Sequence, residues 1–186
     1  MVKLNKIYTR GGDGGESGLV DGSRMTKSHA RFNAIGDVDE ANSAVGLARA
    51  AVHKGGASDH FLAGVQNDLF DLGADLATPG EIEGALRLSD GRTATLEAEI
   101  DALSEQLGPL TSFVLPGGSE ASARLHMARA QVRRAERTVV ALNEESPLNP
   151  EILIYLNRLS DLLFQLSRSE NDMGKADTLW KPGGNP

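Results

Sequence analysis

Ala128-Arg129-Ala130-Gln131-Val132-Arg133-Arg134-Ala135-Glu136-Arg137 is the stretch on which the reading of this chain turns. Arg129, Arg133 and Arg137 stand at i, i+4 and i+8, so a helix puts them on one face. Leu125, Ala128, Val132, Ala135, Val139 and Leu142 advance in steps of 3 and 4 along another face. One predicted helix, capped by Ser119 and ending near Leu142, therefore carries an apolar seam with a row of guanidinium groups beside it. Like charges four apart disfavour an isolated helix by about 0.2–0.5 kcal/mol per pair. An anionic partner would offset that cost, whether a polyphosphate or a carboxylate on another subunit. The planar fork of arginine suits both. The bland alternative is a solvated face.

The same 3/4 spacing recurs outward from this helix. Phe32, Ile35, Val38, Val45, Ala48 and Val52 predict a helix over about 30–54. Phe61, Leu62, Val65, Leu69, Leu72 and Leu76 predict a second to about Ala77, with Ser58 or Asp59 as its cap. Leu96, Ile100, Leu103 and Leu107 predict a third over about 92–107. Ile152, Leu156, Leu159, Leu163 and Leu166 predict a fifth over about 150–172. Residues 79–90 read as a surface loop, Ser112-Phe113-Val114-Leu115 as a short extended piece, and Leu179-Trp180-Lys181-Pro182-Gly183-Gly184 as an extended tail. The expectation is an all-α, up-and-down five-helix bundle with an extended Gly-rich N-terminal segment. At 186 residues it reads as one domain, 1–186.

Composition narrows the function. The net charge is −7, which does not advertise nucleic-acid binding. Yet residues 119–142 hold five Arg against Glu120 and Glu136. Residues 1–31 hold six Lys and Arg against Asp13, Glu16 and Asp21. Two basic patches on an acidic chain point to a focused anion site. The absence of cysteine excludes disulfides and thiol chemistry. No run has the length of a signal peptide or a membrane span, so a cytoplasmic protein is expected.

Three further segments are candidate sites. In Tyr8-Thr9-Arg10-Gly11-Gly12-Asp13-Gly14-Gly15-Glu16-Ser17-Gly18, glycines expose backbone N–H groups that can cradle phosphates. Thr9, Ser17, Arg10 and Lys27 add hydroxyls and positive charge. There is no Gly-Lys-Ser/Thr, so this is not a Walker loop, and a flexible segment is the alternative. Asn157 and Asp161 share a face of the fifth helix; Asn157 either fixes register among leucines or bonds a ligand. In Gly36-Asp37-Val38-Asp39-Glu40, the acids form an exposed patch, or Asp39 pairs with an arginine of the row. His29, His53, His60 and His126 lack metal-site spacing, His126 reads as packed or capping, and no metal ligand set is assigned.

Taken together, these segments resemble the cob(I)alamin adenosyltransferases of the propanediol-utilisation type. The likeness rests on Tyr8 to Gly15, Gly36 to Glu40, Phe113-Val114-Leu115-Pro116-Gly117-Gly118 with His126-Met127-Ala128-Arg129 and Arg133 to Arg137, Tyr155-Leu156-Asn157-Arg158-Leu159-Ser160-Asp161, and the Leu179-Trp180-Lys181-Pro182-Gly183 ending. It spans about 7–183. The resemblance implies a homotrimer with active sites between subunits. It implies transfer of the 5′-deoxyadenosyl group of ATP to the cobalt of cob(I)alamin, with Mg²⁺ accompanying the nucleotide. A flavoprotein reductase and a B12-dependent acceptor enzyme are the implied partners. By the same resemblance, Thr9, Arg10, Gly11, Gly12, Asp13, Ser17, Gly18 and Lys27 wrap ATP. Arg133, Arg134, Glu136, Arg137 and Asn157 supply the helical wall. Asp39 pairs with Arg129 across the interface, and Phe113 displaces the lower axial ligand of cobalt. Gly11 stands where the family often has Thr, and Ala41 where it has Leu. A non-catalytic, nucleotide-gated carrier of adenosylcobalamin is the alternative.

Overall fold

A computed structural model describes residues 7–184; Lys3 and Lys6 of the N-terminal basic patch lie outside them. Five helices follow a small hairpin: β1 (Glu16–Gly18), β2 (Arg24–Thr26), α1 (Ala30–Arg49), α2 (Ala57–Leu76), α3 (Gly91–Gln106), α4 (Glu120–Glu145) and α5 (Pro150–Ser169). The expected bundle is present. α1 packs on α2 and α4, and α5 on α4 and α3. α5 fills the centre: Tyr155, Leu156, Leu159, Leu162, Leu163 and Leu166 are all buried. They meet the α4 seam of Leu125, Ala128, Val132, Ala135, Val139 and Leu142, which is buried along its whole length. Fully burying one such Leu or Val stabilises the fold by about 1.5–3 kcal/mol relative to exposure. The seam therefore outweighs the repulsion within the arginine row.

Local chemistry sets the helix ends. Ser119 Oγ accepts the Ser122 N–H, capping α4 as expected. Asn149 caps α5 through the Glu151 N–H, with Pro150 in the first turn. α2 differs from expectation: its N-cap is Gly56, and neither Ser58 nor Asp59 fills that role. The Asp59 carboxylate instead accepts the Gly55 N–H at 2.8 Å and binds Arg49 at 2.5 Å. α1 accordingly ends at Arg49, short of Lys54.

The segment expected as loop over 7–28 contains an antiparallel hairpin, with Ser17 opposite Met25. Asp21-Gly22 makes its turn. The Asp21 carboxylate accepts both the Ser23 N–H and the Ser23 hydroxyl, and Gly22 adopts a positive φ of 83°. The Val20 N–H reaches Ala77 O, pinning the hairpin to the end of α2.

Candidate active site

The Gly-rich segment is folded back on itself. Asp13 N–H reaches Arg10 O, Gly15 N–H reaches Gly12 O, and Lys27 N–H reaches Gly15 O at 2.8 Å. Arg24 donates to Gly11 O at 2.6 Å and to Glu16 O at 3.3 Å. Arg10 has a positive φ of 61° and lies over the Tyr8 ring at 5.8 Å. The bare backbone of Gly12 lets the Lys27 ammonium rest against it, where a Cβ would stand 2.9 Å from Nζ. Thr9 Oγ1 accepts the Gly11 N–H at 3.4 Å. Arg10, Gly11, Asp13, Gly18 and Lys27 are exposed, with Gly12 and Ser17 half-buried. Two ammonium or guanidinium groups and a run of glycine amides thus share one small surface, which suits a polyphosphate.

On α4 the arginines divide. Arg133 and Arg137 are exposed, and neither meets a carboxylate among the described residues. Arg137 donates only to Arg133 O, at 2.9 Å. Arg134 turns to α1, where Asp37 and Glu40 hold it, and Thr138 hydroxyl donates to Asp37. That ion pair raises the Arg134 pKa further. Arg134, expected on the nucleotide wall, therefore braces α1 against α4 in this chain. The acidic patch thus pairs with Arg134, off the 129/133/137 row, through Asp37 and Glu40, one turn apart on α1. Glu136 accepts from Asn157 Nδ2 at 2.9 Å, linking α4 to α5 beside Arg133.

Arg129 is half-buried, and its Nε has no hydrogen-bond partner among the described residues. Burial, then the neighbouring Arg133 charge, pulls its pKa down. Asp39 is exposed and forms no ion pair among the described residues. It lines a hollow of about 400 Å³ between α1 and α2 with Phe32, Leu69 and Phe70. Arg129 and Asp39 do not meet within one chain.

Phe113 is 77% exposed, ahead of the Pro116-Gly117-Gly118 turn. Its strand is not isolated. Val114 bridges Leu179 in antiparallel register, bringing the tail beside it. Trp180 packs edge-on to Phe113, with ring centroids 6.0 Å apart. Sequence reading took the tail as extended but gave Trp180 no role; its being the only Trp in the chain was the available signal. His126 is buried as expected, with Nε2 3.2 Å from Ser167 Oγ and its ring against Phe164. Burial, then Arg129, lowers its pKa.

A cleft of about 1050 Å³ between the end of α2 and the start of α5 contains none of the expected site residues. Arg31, Asp75 and Arg87 in it are all held by internal hydrogen bonds, Asp75 and Arg87 by each other. Arg31 donates to Leu76 O and Ser146 Oγ, and Asp75 accepts from Arg87, Leu88 N–H and Asn149. It reads as a structural polar network. Among the described residues no three His, Asp or Glu side chains gather as a metal site. No helix is long and apolar enough to cross a membrane.

The fold and site define a helical bundle that presents two arginines without an internal acid on α4 and, ahead of that helix, an exposed pair of aromatic rings. The sequence profile of the cobalamin adenosyltransferase family matches residues 7–170, and this chain belongs to that family. A corrinoid adenosyltransferase of Mycobacterium tuberculosis is 50% identical over 188 residues, covering 98% of this chain and 96% of that protein. One from Bacillus subtilis is 41% identical over 169 residues, covering 89% of this chain and 86% of the relative. Among solved structures, a phenylalanine-to-alanine variant of the PduO-type ATP:corrinoid adenosyltransferase from Lactobacillus reuteri, complexed with cobalamin and ATP, superposes with a TM-score of 0.89. It is 36% identical, with coverage of 95% of this chain and 99% of that one. An arginine-to-lysine variant complexed with ATP gives a TM-score of 0.87 at 35% identity, covering 94% of this chain and 100% of that one.

Proposed function

We infer that this chain transfers the 5′-deoxyadenosyl group of ATP to the cobalt of cob(I)alamin. The cobalt–carbon bond forms as the C5′–oxygen bond breaks, and triphosphate leaves. The reduced corrinoid is itself the nucleophile, so no protein nucleophile is required. The protein orients C5′ over cobalt and stabilises the charge developing on the leaving group. The observation that carries this reading is the pair Arg133 and Arg137, exposed and uncompensated on a helix whose other arginines are engaged or buried. Thr9 to Asp13, Ser17, Gly18 and Lys27 hold the triphosphate from the other side. Glu136 and Asn157 set the wall, and Arg134 fixes the wall to α1. Mg²⁺ would accompany the nucleotide and help neutralise the charge on the leaving triphosphate.

The active enzyme is a homotrimer with its sites between subunits. Two observations support this. No hydrogen bond among the described residues joins residues 9–28 of the Gly-rich segment to α4. A second copy would bring them together. Arg129 is also desolvated without an internal acid, a costly state that the partner subunit's Asp39 would relieve. A flavoprotein reductase supplies the electron, and a B12-dependent enzyme accepts the product, in the cytoplasm. Single turnover with ATP and chemically reduced cobalamin tests the reaction: adenosylcobalamin and triphosphate should appear in equal amounts. ATP binding without either product would favour the carrier. Sedimentation showing an active monomer would remove the trimer.

A further inference from the structure

The antiparallel bridge between Val114 and Leu179 sets Phe113 directly opposite Trp180 and Leu115 opposite Thr178. Three hydrogen bonds enforce that register. Trp180 N–H donates to Phe113 O at 2.7 Å, Leu115 N–H to Thr178 O at 2.8 Å, and Ser112 hydroxyl to Trp180 O at 2.7 Å. Directly opposed residues on a two-stranded ribbon share a face. The rings meet at 65°, the edge-to-face arrangement aromatic pairs favour. Phe113 still keeps 77% of its surface exposed and Trp180 44%. Two large aromatic rings held side by side and left open make a platform for a flat apolar ligand.

The ribbon is anchored from inside the bundle. Arg168 pairs with Asp177 at 2.9 Å, both side chains buried, immediately before the tail departs. Arg168 also donates to Gly108 O at 3.0 Å, upstream of Phe113. Asn171 donates to Asp177 at 2.9 Å and accepts the Ser119 N–H at 3.1 Å, downstream of Phe113. Gly118 approaches so closely, at φ 97°, that a Cβ there would overlap the Asn171 carboxamide. One polar cluster thus fixes both ends of the Phe113 strand and the start of the tail.

We propose that Trp180 is a positioning residue for the corrin half of the reaction, holding the Phe113 ring upright under the macrocycle. This rests on the adenosyltransferase reading above. By the family resemblance the Phe113 ring would occupy the space below cobalt and keep a base or water from the lower axial position. Without the Trp180 edge, an exposed Phe side chain is free to rotate away, and the lower position refills. Trp180 touches the ring that acts, and ATP binding lies elsewhere.

The test uses the full chain and three variants, Trp180→Ala, Trp180→Phe and Phe113→Ala. Because Trp180 is the sole tryptophan, its emission reports the pair without any substrate. Phe113→Ala should raise acrylamide quenching of that emission. Trp180→Ala should keep the ATP KM within twofold and lose at least tenfold in turnover from cob(II)alamin. The loss should be smaller with cob(I)alamin made in advance. The absorption and electron-spin signature of cob(II)alamin lacking its lower ligand should fade in Trp180→Ala and return in Trp180→Phe. Quenching unmoved by Phe113→Ala overturns the proposal, as does an unchanged cob(II)alamin signature in Trp180→Ala. Failure of the wild-type protein to adenosylate pre-reduced cobalamin would instead overturn the functional reading, and the quenching arm separates the two.

Discussion

The middle of α4 and the end of α5 use arginine in opposite ways. Arg168 is buried, paired with Asp177 and bonded to Gly108 O. Arg133 and Arg137 stand in solvent and form no ion pair among the described residues, the neighbouring Glu136 being bonded to Asn157. The same side chain is a strut in one place and, in the proposed function, an open binding group in the other. What separates them is the presence of an internal acid, which helix spacing alone does not reveal. A guanidinium with its acid inside the chain holds the fold; one without it awaits a ligand.

The largest effect should come from breaking the strut. Arg168→Ala leaves Asp177 buried and uncompensated, which costs about 3–5 kcal/mol. Chemical denaturation of the variant should show that loss. A change under about 1 kcal/mol, the range of exposed pairs, would mean that the α5 pair is no more structural than a surface one.

Next comes the open row. Arg133→Ala should keep wild-type stability and lose about 1.5–3 kcal/mol in ATP use, the range for hydrogen bonds to charged groups. Arg134→Ala should lie much nearer wild type in ATP use, because Asp37 and Glu40 already occupy that side chain. Steady-state kinetics with varied ATP compares the two directly. Equal losses would place Arg134 on the nucleotide as well, and the division within α4 would fall.

A pH dependence sharpens the contrast at a smaller scale. His126 on α4 faces Ser167 of α5, Arg129 one turn along, and Asp177 of the tail. Burial and Arg129 together hold its pKa below 6.5, while Asp177 opposes them weakly. The unfolded chain therefore takes up the proton first as pH falls. Stability from this group is full above about 6.5, the ordinary histidine pKa, and is lost as pH drops towards the lower folded value. One proton corresponds to at most about 1.4 kcal/mol per pH unit. His126→Gln should flatten the wild-type stability profile between neutral and mildly acid pH. An unaltered slope would show that His126 carries a proton equally in both states.

These comparisons mark where sequence was enough. The α4 and α5 seams were legible because 3/4 spacing is a local property, and the residues that spacing named are buried; Tyr155 and Leu162 of α5 are buried too, without that spacing naming them. Ser119 was legible as a cap for the same reason. The hairpin at 16–26 was missed because its strands have only three residues each, too short for alternation to register. Asp21-Gly22 was the signal that could have found it. The partner of Arg134 was not legible, since Asp37 lies on another helix and only packing chooses between it and Asp39. Trp180 was seen but unassigned, because its partner Phe113 is distant in the chain and the ribbon joining them has a single bridge.

The smallest effect concerns the other region proposed to hold phosphate, the Gly-rich segment, where glycine freedom is used unevenly. Gly15 sits at φ 84°, a conformation that strains any residue with a side chain. Gly11 has no positive φ, and a Cβ built there meets only Thr9 Oγ1, at 3.5 Å, an ordinary contact. Gly11→Ala should therefore fit the folded segment while restricting the unfolded chain, raising stability by about 0.4–1 kcal/mol. Gly15→Ala should lower it. The Gly11 N–H still points at Thr9 Oγ1 in either case, so ATP affinity in Gly11→Ala should hold or tighten slightly as the segment loses alternatives to its folded form. Thermal unfolding and ATP titration of the two variants check both signs. A Gly11→Ala protein that melts lower and binds ATP more weakly would show that the segment needs glycine there for a nucleotide-bound conformation different from the one described.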